Sequence, residues 1–183
     1  MTNAVLRRYL REREHLALAL DPAAVASHPE WLYDKILAQW PEQAATIFAA
    51  NNQQPPMTLR VNSSRLSREA CLDILQQQGI DASAGTLSPH ALQLTRPMDV
   101  WTIPGFTTGM LSVQDEAAQM AALLLAPRAG ERILDACAAP GGKACHILEV
   151  QPALAELVAM DIDAGRLQRV EENIARLNLV ARL

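Results

Sequence analysis

The sequence is poor in cysteine, and its three cysteines, Cys71, Cys137 and Cys145, stand at irregular spacing. That argues against a disulfide framework and against the paired spacings of a zinc site. A reducing compartment is the simple implication, so the expectation is a cytoplasmic protein without a metal. An excess of basic charge is also missing. Lys and Arg number 16 against 20 Asp and Glu, a formal net charge of −4. Such a chain is not held to nucleic acid by bulk charge, although a local basic groove is still allowed. No apolar run is long enough to span a bilayer, so no membrane partner is expected. The start of the chain carries Arg7, Arg8, Arg11 and Arg13, and it lacks the apolar core that follows a basic start in a signal peptide.

Half of the 183 residues are apolar and a fifth are charged, a globular composition large enough for one or two domains with real cores. The most informative stretch runs from Arg132 to Lys143. Ile133 and Leu134 read as a short buried strand ending at Asp135. Ala136 to Gly142 are nearly all small, which lets a ligand approach the backbone, and Gly141 and Gly142 can take φ > 0. Lys143 to Val150 then shows helical spacing, with Ile147, Leu148 and Val150 apolar. Strand, glycine turn and helix N-terminus form a nucleotide-type site in an open α/β sheet. A phosphate loop is excluded, because Cys137 stands where its first glycine belongs and Ala144 follows Lys143. The G-x-G-x-x-G fingerprint is absent as well. A second apolar run, Leu157 to Met160, ends in Asp161-Ile162-Asp163, and an acid at a strand tip can accept hydrogen bonds from both ribose hydroxyls. The layout suits an adenosine-bearing ligand without a pyrophosphate, of which S-adenosylmethionine is the commonest.

The rest of the chain frames this stretch. Ala4 to Leu20 reads as a helix broken by Asp21-Pro22. Pro29 opens a second helix, Glu30 to Trp40, with Trp31, Leu32, Ile36, Leu37 and Trp40 as its apolar stripe. At that spacing the two tryptophans are expected in the core rather than as base-stacking platforms. Pro41 starts a third helix, Glu42 to Ala50. Met57 to Asn62 alternates as a strand. Ser67 and Gly79 bracket a helix over Arg68 to Gln78, and Ala91 to Thr95 is a further strand, making a small α+β unit. Pro104-Gly105 and Thr107-Thr108-Gly109 suggest a boundary. Met110 to Val113 is a short strand, Asp115 opens a helix over Glu116 to Leu125, and Asp163 caps a last helix, Ala164 to Leu177. Leu179 begins another strand.

Asp135-Ala136-Cys137-Ala138-Ala139-Pro140-Gly141-Gly142-Lys143 is similar to the first cofactor motif of the RNA cytosine-C5 methyltransferases. With Asn51 to Asn62, Val113-Gln114-Asp115-Glu116, His146-Ile147-Leu148-Glu149 and Asp161-Ile162-Asp163, in one order over most of the chain, it resembles the bacterial RsmB/Sun (Fmu) family, which methylates small-subunit ribosomal RNA. The resemblance implies an α/β fold: the start of a Rossmann-like methyltransferase domain over 105–183, a ferredoxin-like α+β RNA-binding domain over 25–104, and in 1–24 the last helix of a NusB-like helical domain. It implies S-adenosylmethionine held at its methionine end by Cys137, Ala138, Ala139, Pro140, Gly141, Gly142 and Lys143, with Asp161 on the ribose. It also implies a ribosomal RNA partner and a monomer when complete. Arg60, Arg65 and Arg68 are candidate phosphate contacts, against a plain reading as solvated surface charges. Gln114 and Asp115 are candidates for the cofactor rim, against a plain strand-to-helix cap.

In that family two downstream cysteines, in Pro-Cys and Thr-Cys motifs, carry the chemistry. None of the three cysteines here follows Pro or Thr. The expectation is therefore the N-terminal and middle part of a ribosomal RNA cytosine-C5 methyltransferase, with no catalytic residue of its own and inactive alone. Ala144-Cys145 departs from the two threonines often found there. Two other readings stand beside this one: a non-catalytic RNA-binding or ribosome-assembly protein with a vestigial cofactor site, and a nucleotide-phosphate binder using Lys143.

Overall fold

The computed structural model of the chain describes residues 2–13 and 21–181. They form two compact units, which meet in sequence at Pro55 and Pro56.

The first unit is helical: α1 (Thr2–Glu12), α2 (Pro22–Val25), α3 (Glu30–Gln39) and α4 (Ala44–Asn51). The expected continuation of α1 to Leu20 falls on residues 14–20, outside the described ones. Asp21-Pro22 opens α2, since the Asp21 carboxylate accepts from the Ala23 amide and Pro22 takes the first turn, where its missing N–H costs nothing. The small core joins Ile36, Ala44 and Phe48, with the Tyr33 ring stacked on Phe48 at 4.8 Å between centroids. The two tryptophans expected in this core are not there: Trp31 is 68% exposed and Trp40 50%. The partner helix α4 has only eight residues. It covers a strip around Ile36, Leu32 and Tyr33 and leaves the rest of the α3 stripe open. The apolar stripe of α1, Val5, Leu6, Tyr9 and Leu10, is uncovered too, as no residue of that helix is buried.

The second unit opens with β1 (Met57–Val61), α5 (Arg68–Gln77), β2 (Ala82–Ala84) and β3 (Ala91–Leu94), and β4 (Leu111–Val113) follows after a 3-10 turn at Val100–Thr102. The sheet order is β2-β3-β1-β4, with every neighbour antiparallel. β3 lies between β1 and β2, and α5 makes the connection, a split βαβ arrangement. Ser67 Oγ accepts from the Ala70 amide at the start of α5, and Gly79 stops it at φ 71°. Leu59, Val61, Cys71, Leu75, Leu92, Leu94 and Leu111 form the core between sheet and helix. β4, placed by its sequence beyond the 104/105 boundary, pairs Leu59 with Val113 and Val61 with Leu111, so it completes the sheet of the preceding segment.

Next come α6 (Glu116–Leu125), β5 (Arg132–Asp135), α7 (Gly142–Val150), β6 (Glu156–Ala159) and α8 (Ala164–Leu177). β5 and β6 run parallel, with Ile133 opposite Leu157 and Asp135 opposite Ala159, and α7 is the crossover that parallel strands require. Ala138, Ala144, Ile147, Leu148, Leu157, Ala159 and Val170 pack together around this βαβα unit. Asp163 caps α8 through the Gly165 and Arg166 amides. No strand begins at Leu179 among the described residues.

Candidate functional site

The tips of β5 and β6 meet in one hydrogen-bonded loop. The Met160 amide donates to Asp135 O at 2.9 Å and the Ala138 amide to Met160 O at 3.0 Å. The Asp161 carboxylate closes the loop from the other strand: Oδ2 accepts from the Ala139 amide at 3.1 Å and Oδ1 from the Asp163 amide at 3.3 Å. Those backbone bonds, Asp163 first, hold the Asp161 carboxyl below its usual range, and Arg166 adds to them. Asp161 is therefore an anion at neutral pH, beside the loop expected to share a ligand with it. Gly141 sits at φ 100°, a conformation that favours glycine, and a Cβ there would lie 3.2 Å from Val170 Cγ1, a tight contact. Cys137 is exposed, and Lys143 is an exposed residue of the first turn of α7. Asp135 Oδ1 accepts from the Cys137 amide at 3.4 Å, while its Oδ2 is buried without a hydrogen-bond partner. A buried acceptor left alone beside this loop is what a bound donor would satisfy.

Arg60 requires a correction. Proposed as a phosphate contact, it is buried: it and Glu149 form a pair of side chains each only 1% exposed. Its Nε and NH2 donate to the two Glu149 oxygens at 2.8 Å each, and its NH1 to Gln114 Oε1 at 2.6 Å and to Gly142 O at 2.8 Å. Alternation along β1 correctly sends Leu59 and Val61 to the α5 core, but it reads the opposite face as solvent. α6 and α7 cover that face, and Arg60 becomes the bond between the antiparallel sheet and the end of the β5 loop. Burial pushes the Glu149 carboxyl up against the pull of Arg60. Arg65 is also committed, its NH1 to Thr108 O and its NH2 to Leu177 O. Arg68, one quarter exposed, lies 3.5 Å from Glu69. Gln114 serves as the Arg60 acceptor, and Asp115 caps α6 through the Ala117 and Ala118 amides.

Two of the thiols are buried. Desolvation pushes both Cys71 and Cys145 up to about 11, which disfavours the reactive thiolate at neutral pH. His146, also buried, holds His90 at 3.0 Å between ring nitrogens; burial first, then the Arg60 charge, depress it to about 3. The sequence reading missed Arg166 and Asn173 of α8, which donate to the loop carbonyls of Ala139 and Pro140 at 3.2 and 2.9 Å. Their signal is the spacing of polar residues along α8, beside its apolar stripe.

Two family models match this arrangement. One describes an RsmF/B-like methyltransferase ferredoxin-like domain and covers residues 28–101; the other, 16S rRNA methyltransferase RsmB/F, covers 122–182. The chain belongs to the RsmB/F methyltransferase family. A ribosomal RNA small subunit methyltransferase B from Pseudomonas syringae pv. tomato is 51% identical over all of this chain and 41% of its own length. One from Pasteurella multocida is 49% identical over 97% of this chain and 39% of its own. The chain thus spans about two fifths of the length of these curated relatives. A methyltransferase homologue from Pyrococcus horikoshii superposes with a TM-score of 0.76 at 25% identity, over 90% of this chain and 56% of that one. Among the described residues no helix is long and apolar enough to cross a membrane.

Proposed function

We propose that this RsmB/F-family chain takes part in S-adenosylmethionine-dependent methylation of a cytosine C5 in small-subunit ribosomal RNA, as a cytoplasmic protein that is monomeric when complete. The observation that carries this reading is the junction of the β5 loop with Asp161, where an ionised acid, a glycine-shaped backbone and the lone buried oxygen of Asp135 converge. Bound there, the cofactor supplies an electrophilic methyl group. Cys137 to Lys143 would line its methionine end, the small side chains admitting it close to the backbone, and Asp161 would take the ribose hydroxyls. Arg60 fixes the Gly142 carbonyl and with it the start of α7. In this reading 1–24 belongs with a helical domain, which suits the uncovered stripe of α1, 25–104 is the RNA-binding domain, and 105–183 opens the methyltransferase domain while lending β4 to the sheet before it.

Isothermal titration of the full-length protein tests the cofactor. S-adenosylmethionine should bind with ATP far weaker, and Asp161→Ala should weaken it about tenfold, as for loss of a polar partner. Equal affinity for ATP, or no effect at Asp161, overturns the assignment. A second test concerns chemistry. Methylation at C5 needs a thiolate added at C6 and a base for the C5 proton. Cys71 and Cys145 are buried with raised pKa, and Cys137 sits in the cofactor loop. Incubated with labelled cofactor and unmodified ribosomal RNA, the 183-residue chain should form no 5-methylcytosine. Product that disappears on Cys137→Ala would make Cys137 the nucleophile.

A further inference from the structure

Trp101 is 66% exposed, yet both its backbone and its ring have partners. It lies in the 3-10 turn capped by Asp99, whose carboxylate accepts from its amide at 3.0 Å. Its ring meets Phe106 edge-to-face at 5.2 Å. Phe106 is braced in turn by the Arg176 guanidinium, 4.2 Å from the ring centroid, and Arg176 donates to the carbonyls of Phe106 and Leu111. Beside Trp101 runs a groove of about 470 Å³ whose walls include Phe106, Pro140, Arg169, Asn173 and Arg176. Pro140 belongs to the cofactor loop, so the groove runs along its flank.

The far wall is α8. Arg166, Arg169, Asn173 and Arg176 recur at helical spacing and form one stripe. Arg166 and Asn173 hold the loop and Arg176 holds Phe106. Arg169 is 70% exposed, and its partner is Glu172, itself half exposed on the groove rim, at 3.0 Å. Such a surface i,i+3 pair contributes little, so Arg169 can exchange Glu172 for another anion without loss of fold. A fixed, exposed aromatic face beside an exchangeable cation suits a ligand with a planar apolar ring on an anionic backbone.

We propose that this groove binds single-stranded RNA, one unpaired base stacking on Trp101 and an adjoining phosphate meeting Arg169. The inference rests on the RNA-methyltransferase reading and replaces buried Arg60 with α8 as the basic surface. A chain carrying W31F and W40F leaves Trp101 as its one tryptophan emitter. Titrated at low salt with a short unstructured cytidine-rich RNA, its emission should be quenched, whereas heparin, a polyanion without bases, should leave it unchanged. Followed by anisotropy of labelled RNA, Trp101→Ala should weaken binding about tenfold, Trp101→Phe much less, and Arg169→Gln should lower the salt slope by about one unit. Circular dichroism checks that each variant is folded. RNA that binds without quenching, equal quenching by heparin, unaltered affinity in Trp101→Ala and Arg169→Gln, or no RNA binding at all overturns the groove. None of these outcomes touches the cofactor titration, which decides the methyltransferase reading separately.

Discussion

The two sheets of the second unit differ in what covers them. In β2-β3-β1-β4 both faces of the central strand are closed: Leu59 and Val61 lie under α5, while Thr58 and Arg60 are buried on the other side. In β5-β6 one face meets α7, and Leu134 is 60% exposed on the other, with Met160 and Ile162 open at the strand tip. Parallel strands are ordinarily buried on both faces. The antiparallel sheet therefore carries its own stability, and the parallel pair carries the β5 loop and is tied to that sheet through Arg60. The antiparallel sheet and the β5 loop are joined by one buried guanidinium, that of Arg60.

The largest break in that comparison should come at the guanidinium. Arg60→Met leaves Glu149 buried and uncompensated, and urea unfolding should show a loss of about 3–5 kcal/mol. Replacing both partners, Arg60→Met with Glu149→Leu, should recover much of it, since the cost lies in the stranded charge. A double variant no better than the single one would mean that the bonds to Gln114 and Gly142 dominate.

Acid gives the next effect. His146 titrates at about 3 in the folded chain against 6.5 when free. Between those values the unfolded chain binds the extra proton, so this contribution to stability is complete above the unfolded pKa and is lost as the pH falls. From pH 7 to pH 5 the loss should be about 2 kcal/mol. His146→Gln should flatten that part of the profile in urea unfolding measured at each pH. A parallel slope in the variant would assign the acid sensitivity to other groups. The smallest effect sharpens the contrast: Leu134→Thr, on the open face of β5, should change stability by less than about 0.5 kcal/mol. A loss of 2 kcal/mol or more there would show that the open face is covered in solution.

The difference between the sheets also explains what the sequence could reveal. The β5 loop, α5, α6 and α8 were legible because caps and glycines act locally: Ser67, Asp115 and Asp163 each accept from amides two or three residues ahead. β2 was not legible, since Ala82-Ser83-Ala84 has little strand propensity and is a strand only because β3 is there to pair with it. The burial of Arg60 was hidden for a related reason. Its partners Gln114, Gly142 and Glu149 lie 54, 82 and 89 residues away, beyond any local pattern. Trp31 and Trp40 had helical spacing, but spacing could not tell how short their partner helix would be.

The place of Arg60 on β1 also makes the fold check its own alignment. Side chains alternate along a strand, so a slip of one residue against β3 would turn Leu59 toward Glu149 and aim the guanidinium into the α5 core. Both errors would strand a charge in apolar surroundings. A misaligned sheet cannot anchor α7, and without that anchor the β5 loop loses its bond at Gly142. The β5 loop thus has its bond at Gly142 only on a sheet whose strands are in step.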